Sequence, residues 1–170
     1  MPPKKQSKPV VDSPPPSLPN IRTTPKDELF EYYDTILNHD QTKRSQNDIC
    51  TPIKCIQEML EALPTSIWSK KGIKILDPCC GHGNFHAVIY WYLIEAGHTH
   101  EEAIESLLFN DLNLDRLANV EHIYGISLGE RGSQDYLEDS YSCGCSLDLI
   151  VANPPYAKLM ASGERASKNH

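Results

Sequence analysis

The chain has 170 residues, of which 39% are hydrophobic and 23% charged, a composition compatible with one soluble globular domain. No apolar run approaches the roughly 18 residues that a membrane-spanning helix needs. The amino-terminal Met1-Pro-Pro-Lys-Lys5 also lacks the apolar core of a secretory signal, so we expect an intracellular protein, in the cytoplasm or, in a eukaryote, the nucleus.

The formal net charge of −7 is spread unevenly along the chain. Residues 1–26 carry a net charge of +4, which leaves −11 for residues 27–170. An acidic surface repels the phosphates of nucleic acids. If the chain acts on a nucleic acid, the cationic surface must come from the amino-terminal segment or from another chain.

The six cysteines favour reduced thiols over disulfides or a metal site. Cys79 and Cys80 are adjacent, and Cys143 and Cys145 are too close together for an ordinary bridge. The paired spacing of a zinc site is absent from the sequence. We therefore predict no metal.

Residues 1–25, rich in proline, lysine and serine, predict a disordered tail ahead of a domain over residues 26–170. The tail is a linker or, through Pro3-Lys4-Lys5, a tether to nucleic acid, and its composition favours the linker. Apolar residues at helical spacing predict an amphipathic helix over residues 26–38. A second helix is predicted from Pro52 to about Leu63, with Thr51 before its first-turn proline.

The next segment combines a strand, a carboxylate, a glycine turn and a helix. The strand is Ile73–Leu76, Asp77 emerges at its end, and an apolar helix runs from Phe85 to about Ala96. Glycines in the turn let the backbone approach a ligand closely, and the start of the helix offers N–H groups. This pattern alone is a weak indication of a nucleotide-type site.

A polar loop over residues 97–102 is predicted to lead into a second strand, Ala103–Phe109, with Asp111 just beyond its end. A helix from about Leu114 to Tyr124 and a third strand over Tyr124–Leu128 follow. The fourth strand, Leu147–Ala152, runs directly into Asn153-Pro-Pro-Tyr156. Two prolines cannot extend a sheet, so the chain must leave the strand at a rigid tip, where open α/β sheets bind ligands.

Asp77-Pro-Cys-Cys-Gly81-His-Gly83-Asn-Phe85, followed about seventy residues later by Asn153-Pro-Pro-Tyr156, resembles motifs I and IV of the S-adenosylmethionine-dependent amino-methyltransferases. The similarity is greatest to the gamma-class N6-adenine DNA methyltransferases of restriction–modification systems, and it covers roughly residues 48–158. It implies the amino-terminal half of a Rossmann-like α/β sheet, with about four mainly parallel strands and flanking helices.

The resemblance also implies roles for individual residues. Asparagine and the first proline carbonyl accept hydrogen bonds from the target amine, and the tyrosine stacks on the target base; these catalytic positions are Asn153, Pro154, Pro155 and Tyr156. The positions implied to bind S-adenosylmethionine are Thr51, Asp77, Cys80, Gly81, Gly83, Phe85, Asp111 and Asp135. Thr51 corresponds to motif X and Asp135 to motif III, although Asp139 is an alternative for the latter.

The family's sheet has seven strands in an order that begins 3-2-1-4, and its DNA enzymes carry a target-recognition domain after the sheet. Because the sequence stops fourteen residues after Tyr156, we expect a truncated or split form. The strand before Asn153 would then be an exposed edge that needs a complementing methyltransferase chain or recognition subunit.

The motifs leave the acceptor open. Asn-Pro-Pro-Tyr also serves methyltransferases that act on guanine N2 in RNA or on a protein glutamine amide. Asp-Pro-x-Cys-Gly with an upstream Thr-Pro favours adenine in DNA as the substrate. A third alternative is a catalytically silent subunit that binds a partner chain.

Overall fold

A computed structural model of the chain describes residues 18–36, 50–136 and 144–154. Its elements, in chain order, are α1 (Lys26–Glu31) continuing into a π-helical turn (Tyr32–Ile36), α2 (Ile53–Glu61), a 3-10 turn (Thr65–Ile67), β1 (Ile75–Asp77), α3 (Asn84–Glu95), α4 (His100–Ser106), β2 (Leu107–Phe109), α5 (Leu114–Tyr124), a 3-10 turn (Gly129–Gly132) and β3 (Leu149–Ile150). None of these helices has the length and apolar character to cross a membrane.

The three strands form one parallel sheet in the order β2-β1-β3. Ile75 of β1 is in register with Leu107 on one side and Leu149 on the other. All three residues of β1 are buried, as expected for the central strand of a sheet covered on both faces. The parallel sheet with flanking helices confirms the predicted α/β class, and its order matches the 2-1-4 portion of the expected arrangement.

Helix α3 forms the centre of the core. Eight of its twelve residues are buried, because its sequence, Asn-Phe-His-Ala-Val-Ile-Tyr-Trp-Tyr-Leu-Ile-Glu, is apolar on nearly every side. A helix that is hydrophobic all round must be enclosed by other elements, and α1, α2 and α4 pack around it. The helix therefore fixes the glycine turn at its amino terminus against the sheet.

The packed part of the chain starts earlier than the predicted boundary at Lys26. Ile21 is only 1% exposed and belongs to the core. Its backbone N–H donates to the carbonyl of Ile123 at 2.8 Å, which ties the amino-terminal segment to the end of α5. Residues 1–17 of the predicted tail lie outside the described residues.

The predicted loop and strand over residues 97–109 are partly wrong, because a helix, α4, occupies His100–Ser106 and only Leu107–Phe109 is strand. The side chain of Thr99 accepts from the N–H of Glu102, and the Glu102 carboxylate accepts from the N–H of Thr99. This capping box stabilises a short helix start in a segment whose polarity otherwise suggests a loop.

The predicted third strand over Tyr124–Leu128 is also wrong. Gly125 ends α5 with a φ of +65°, and Ile126 N–H returns to the carbonyl of Glu121 at 3.1 Å. The Glu121 carboxylate then accepts from Leu128 N–H at 2.6 Å. Because these N–H groups are satisfied by the helix end, the segment does not pair with the sheet.

Candidate functional site

The carboxyl ends of the three strands carry the polar residues that the sequence singles out. Asp77 is the last residue of β1 and is 1% exposed. Its Oδ1 accepts from Cys79 N–H at 3.0 Å. Burial, with a smaller contribution from the nearby Asp111 carboxylate, raises the pKa of Asp77 from 3.8 to about 7. Loss of hydration destabilises the ionised form of the Asp77 carboxyl. A cation bound beside Asp77 would stabilise that form and lower the pKa again.

Asp77 is followed by the glycine turn that leads into α3. Gly81 and Gly83 have φ values of +56° and +84°, in the left-handed region that favours glycine. A side chain at Gly83 would also come within 3.0 Å of the Tyr124 ring. The turn closes with a hydrogen bond of 2.8 Å from Gly83 N–H to the carbonyl of Cys80. Both glycines are therefore required by the backbone of this turn.

Asp111 lies across the turn from Gly81, just beyond β2. It is 7% exposed, and its Oδ2 accepts from Gly81 N–H at 2.8 Å. Its Oδ1 accepts from Asn113 N–H at 2.8 Å, and Arg116 Nη1 lies 3.8 Å from Oδ2. Since a carboxylate has about four acceptor positions, these contacts leave room for ligand hydroxyls. Asp77 and Asp111, from adjacent strands, thus lie on two sides of the turn.

Asn110, which the sequence analysis did not single out, joins the loops of the site. It is fully buried, and its Nδ2 group donates to the carbonyls of Pro78 and Gln134, each at 2.9 Å. Its Oδ1 accepts from Gln134 N–H at 2.9 Å. Its main chain adds hydrogen bonds from its own N–H to Asp77 O and from Cys80 N–H to its carbonyl. One side chain therefore holds the loops after β1 and β2 and the segment around Gln134.

That third segment carries Asp135, which is half-buried. The neighbouring Tyr136 has a raised pKa, mainly because of burial and further because of the nearby carboxyl groups of Asp135 and Asp77. Gln134, one residue before Asp135, exchanges hydrogen bonds with Asn110, whose Nδ2 also donates to the carbonyl of Pro78 at the start of the turn. The structure thus brings Asp135 toward the same edge of the sheet as Asp77 and Asp111.

Asn153 and Thr51 meet although 102 residues separate them. Val151 N–H donates to the carbonyl of Leu76 at 2.9 Å, which continues the pairing of β3 with β1 to the residue before Ala152. Just beyond, Asn153 Nδ2 donates to Thr51 Oγ1 at 3.0 Å. The Thr51 carbonyl in turn accepts from Nδ2 of Asn84, the first residue of α3, at 2.7 Å. Asn153, the asparagine of the predicted motif IV, is thereby linked to the start of α3.

Three further residues of the predicted site, Cys80, Phe85 and Pro154, lie within the described part of the chain. Cys80 and Phe85 are each 2% exposed within the core, whereas Pro154 is exposed at the end of the described segment. Burial raises the pKa of Cys79 to about 12 and that of Cys80 well above its usual range, so both remain thiols at neutral pH. Because a cysteine nucleophile acts as the thiolate, the environment of this pair is unsuited to covalent catalysis. Pro155, Tyr156 and the alternative Asp139 lie outside the described residues.

Two buried tyrosines donate hydrogen bonds to carbonyl groups of the glycine turn. Tyr33, from the amino-terminal helical segment, donates from its hydroxyl to the carbonyl of His82 at 3.1 Å. Tyr124, the last residue of α5, donates to the carbonyl of Gly83 at 2.5 Å. Both rings are nearly inaccessible to solvent, so water cannot replace these donors. Helical spacing predicts that Tyr33 is buried, but it gives no indication of this polar contact.

The arrangement suits a ligand that carries positive charge and hydroxyl groups. Two buried carboxylates flank a turn whose backbone is open to close approach, and the first N–H groups of α3 lie at its end. An amide side chain from β3 lies at the same edge of the sheet. This combination places two carboxylates next to a neutral hydrogen-bonding group.

A family model described as N-6 DNA methylase matches residues 24–170. No curated protein and no solved structure gives a significant match to the chain. The matched span includes the site elements described above, from Tyr33 to Asn153.

Proposed function

This chain belongs to the N-6 DNA methylase family, a family of methyltransferases in DNA methylation, and we propose that it transfers the methyl group of S-adenosylmethionine to the exocyclic N6 amine of adenine. The observation that carries the proposal is the placement of Asn153 at the end of β3, hydrogen-bonded to Thr51 and beside the strand that ends in Asp77. A hydrogen-bond acceptor for the adenine amine and a carboxylate for the cationic cofactor are thereby adjacent.

The residues on either side of the glycine turn fit this cofactor chemically. Bound S-adenosylmethionine supplies an electrophilic methyl group on a cationic sulfonium. Asp77, whose pKa burial raises to about 7, would hold the cofactor's ammonium, and Asp111 would accept from its ribose hydroxyls. We propose that the remaining cofactor-binding positions are Cys80, Gly81, Gly83, Phe85 and Asp135, with Cys80 and Phe85 contributing through packing beneath the turn.

Asn153 and Pro154 would act on the adenine amine. The lone pair of that nitrogen is delocalised into the ring, which makes it a weak nucleophile. Two acceptors, Asn153 Oδ1 and the Pro154 carbonyl, would hydrogen-bond both of its N–H groups and draw the nitrogen toward tetrahedral geometry. Holding the amine in line with the methyl group would supply much of the remaining acceleration.

Recognition of DNA would require help from a partner. A base in a duplex is out of reach, so the adenine must be flipped out, and we propose that Tyr156 stacks on it. Residues 27–170 have a net charge of −11, which is unsuited to phosphate binding. We therefore propose that a recognition subunit or complementing methyltransferase chain supplies the cationic surface. Among the described residues, β3 pairs on one side only, and Ile150 is 59% exposed there.

The partner requirement can be tested by titrating a fluorescent DNA duplex with the chain at several salt concentrations. We expect weak binding with a shallow dependence on salt, because few phosphates would be neutralised. Tight binding that falls steeply with salt would show that the chain has a cationic DNA-binding surface of its own.

The activity can be tested with methyl-labelled S-adenosylmethionine and three acceptors: duplex DNA, RNA and a glutamine-containing release-factor protein. At low salt and high DNA concentration, which offset the weak binding, we expect label in DNA, recovered as N6-methyladenine after digestion. Asn153→Ala should reduce transfer by about 100-fold or more, the range seen when one transition-state hydrogen bond is removed. Asn119→Ala, on α5 and away from the site, is the matched control.

Label in RNA or protein instead of DNA, or in another base, would refute the assignment to adenine. A folded chain that binds the cofactor but transfers label to none of the three acceptors would refute catalysis by this chain alone.

A further inference from the structure

Thr51 joins two asparagine side chains, one through its main-chain carbonyl and the other through its hydroxyl. Asn84 Nδ2 donates to the Thr51 carbonyl at 2.7 Å, and Asn153 Nδ2 donates to the Thr51 hydroxyl at 3.0 Å. Asn84 is 6% exposed, while Thr51 and Asn153 are half-buried. The three residues come from the start of α3, the segment before α2 and the end of β3. Thr51 therefore links the end of the glycine turn to the side-chain amide of Asn153.

We propose that Thr51 is a positioning residue that orients the side-chain amide of Asn153, and that Asn84 holds Thr51 in place for this purpose. The inference rests on the proposed function and assigns Thr51 a role distinct from direct contact with the cofactor. Its motivation is the hydroxyl-to-amide contact, which a purely cofactor-directed threonine would not require.

The orientation of this amide matters because its two ends have opposite hydrogen-bonding character. The oxygen end accepts, whereas the nitrogen end only donates. An adenine amine offers N–H groups, so a productive Asn153 must present its oxygen to the amine. In the structure the nitrogen end is engaged, because the Thr51 hydroxyl accepts from it. With Nδ2 directed to Thr51 Oγ1, the Oδ1 atom lies on the opposite branch of the amide.

The backbone around Thr51 is well suited to act as a fixed support. Pro52 follows with a φ of −57°, which the proline ring restricts. Ile53, the first residue of α2, donates its N–H to Asp34 Oδ1 at 2.9 Å. The Thr51 carbonyl is held by Asn84. Contacts on both sides therefore keep the hydroxyl at one position relative to β3.

The test compares Thr51→Val with Thr51→Ser in the full chain. Valine keeps the branched shape but removes the hydroxyl, and serine keeps the hydroxyl but removes the methyl group. We expect Thr51→Val to lower kcat by about 10- to 100-fold, the scale of a misplaced catalytic group. The Kd for S-adenosylmethionine should stay within about twofold, because a displaced amide leaves the cofactor pocket intact. Thr51→Ser should restore most of the lost kcat.

Three results would overturn the proposal. The first is an unchanged kcat in Thr51→Val. The second is a kcat in Thr51→Ser as low as that of Thr51→Val, which would indicate that methyl packing, not the hydroxyl, matters. The third is a raised Kd with unchanged kcat in Thr51→Val, which would indicate that Thr51 acts by binding the cofactor.

A second measurement is independent of activity. In ¹⁵N-labelled protein, the side-chain NH₂ signals of Asn153 can be assigned by their loss in Asn153→Asp. We expect Thr51→Val, but not Thr51→Ser, to shift these signals and to speed their exchange with solvent. Unshifted signals in Thr51→Val would contradict the contact. Failure of the wild-type chain to transfer methyl groups would instead count against the proposed function, while these signals still decide the role of Thr51.

Discussion

The two ends of the small sheet are built from opposite kinds of polar interaction. At the carboxyl end, Asp77, Asn110 and Asp111 are each 7% exposed or less, and backbone N–H and carbonyl groups are prominent among their partners. At the amino end, Lys71 pairs with Glu102 at 3.0 Å, and their side chains are 65% and 43% exposed. Polar groups are thus enclosed at one end and hydrated at the other.

The difference shows where the fold tolerates costly groups. A buried polar group destabilises the protein unless each of its hydrogen-bonding positions is satisfied, whereas an exposed ion pair contributes little either way. A buried carboxylate such as Asp77 is difficult to explain by stability alone, since burial raises its pKa to about 7. We therefore propose that the carboxyl end is the end arranged for a ligand, and we expect substitutions at the two ends to differ sharply.

The largest effect is expected from Asp77→Asn. A neutral side chain cannot form an ion pair with the cofactor's ammonium, so affinity for S-adenosylmethionine should fall by about 10- to 100-fold at pH 7.5. In the wild-type chain, affinity should rise as the pH increases from 5.5 toward 7, because the cation requires ionised Asp77. The variant should lack this dependence in calorimetric titrations. Asp115→Asn, an exposed position on α5, serves as the control.

The same substitution should change how stability depends on pH. The folded pKa of Asp77 lies above its usual value of 3.8, so between about pH 4 and pH 7 the unfolded chain releases a proton that the folded chain retains. The contribution of Asp77 to stability should therefore decrease as the pH rises through this window. Chemical denaturation of Asp77→Asn should show no such component, and an identical pH profile in both proteins would contradict the account.

Asn110→Ala should cause the next largest effect, a loss of about 2 to 4 kcal/mol in the free energy of unfolding. The substitution leaves the carbonyls of Pro78 and Gln134 and the N–H of Gln134 without their buried partner. Hydrogen exchange at Gln134 should accelerate. Ser106→Ala, which removes one hydrogen bond at the other end of β2, should cost only about 1 kcal/mol. Equal losses in the two variants would argue against the linking role of Asn110.

Tyr124→Phe should have a moderate effect, about 1 kcal/mol in stability and a few-fold weaker cofactor binding. It removes the hydroxyl that donates to Gly83, although Ala87 N–H still donates to the same carbonyl at 3.0 Å. Tyr90→Phe is a matched control, since its hydroxyl contacts His100 at 2.8 Å away from the turn. It should lower stability similarly without changing affinity. A reduced affinity in both variants would point to a general loss of stability.

The smallest effect is expected at the amino end of the sheet. Lys71→Ala removes an exposed ion pair and should change the melting temperature by no more than about 2 °C. Neither cofactor affinity nor methyl transfer should change. A marked loss of either property would mean that the two ends of the sheet are coupled.

The sequence predicts well the features that depend on local patterns. The turn after β1 follows from its glycines, and α5 is found with its predicted bounds, Leu114–Tyr124, because Asn113 caps its start and Gly125 ends it. The helix α4 is missed because five of its seven residues are polar, although Thr99 and Glu102 form a recognisable capping box. A capping box is a local sequence pattern, and this one indicates a helix start after Thr99.

Long-range hydrogen bonds are the part that the sequence does not reveal. The partners of Asn110 lie 24 and 32 residues away, and Thr51 meets Asn153 across 102 residues. Asparagine is compatible with loops, caps and buried networks alike, so its type does not identify the partner. Likewise, the absence of a strand over Tyr124–Leu128 depends on the Glu121 side chain, which a hydropathy pattern cannot show.

The most direct test of a cofactor site at the carboxyl end is calorimetric titration of S-adenosylmethionine into the full chain, with Asp111→Ala and Lys71→Ala measured alongside. We predict saturable binding with one site per chain, weakened by about 10-fold in Asp111→Ala and retained in Lys71→Ala. Absence of binding by the folded wild-type chain, or binding that survives Asp111→Ala unchanged, would contradict the assignment of this edge of the sheet as the cofactor site.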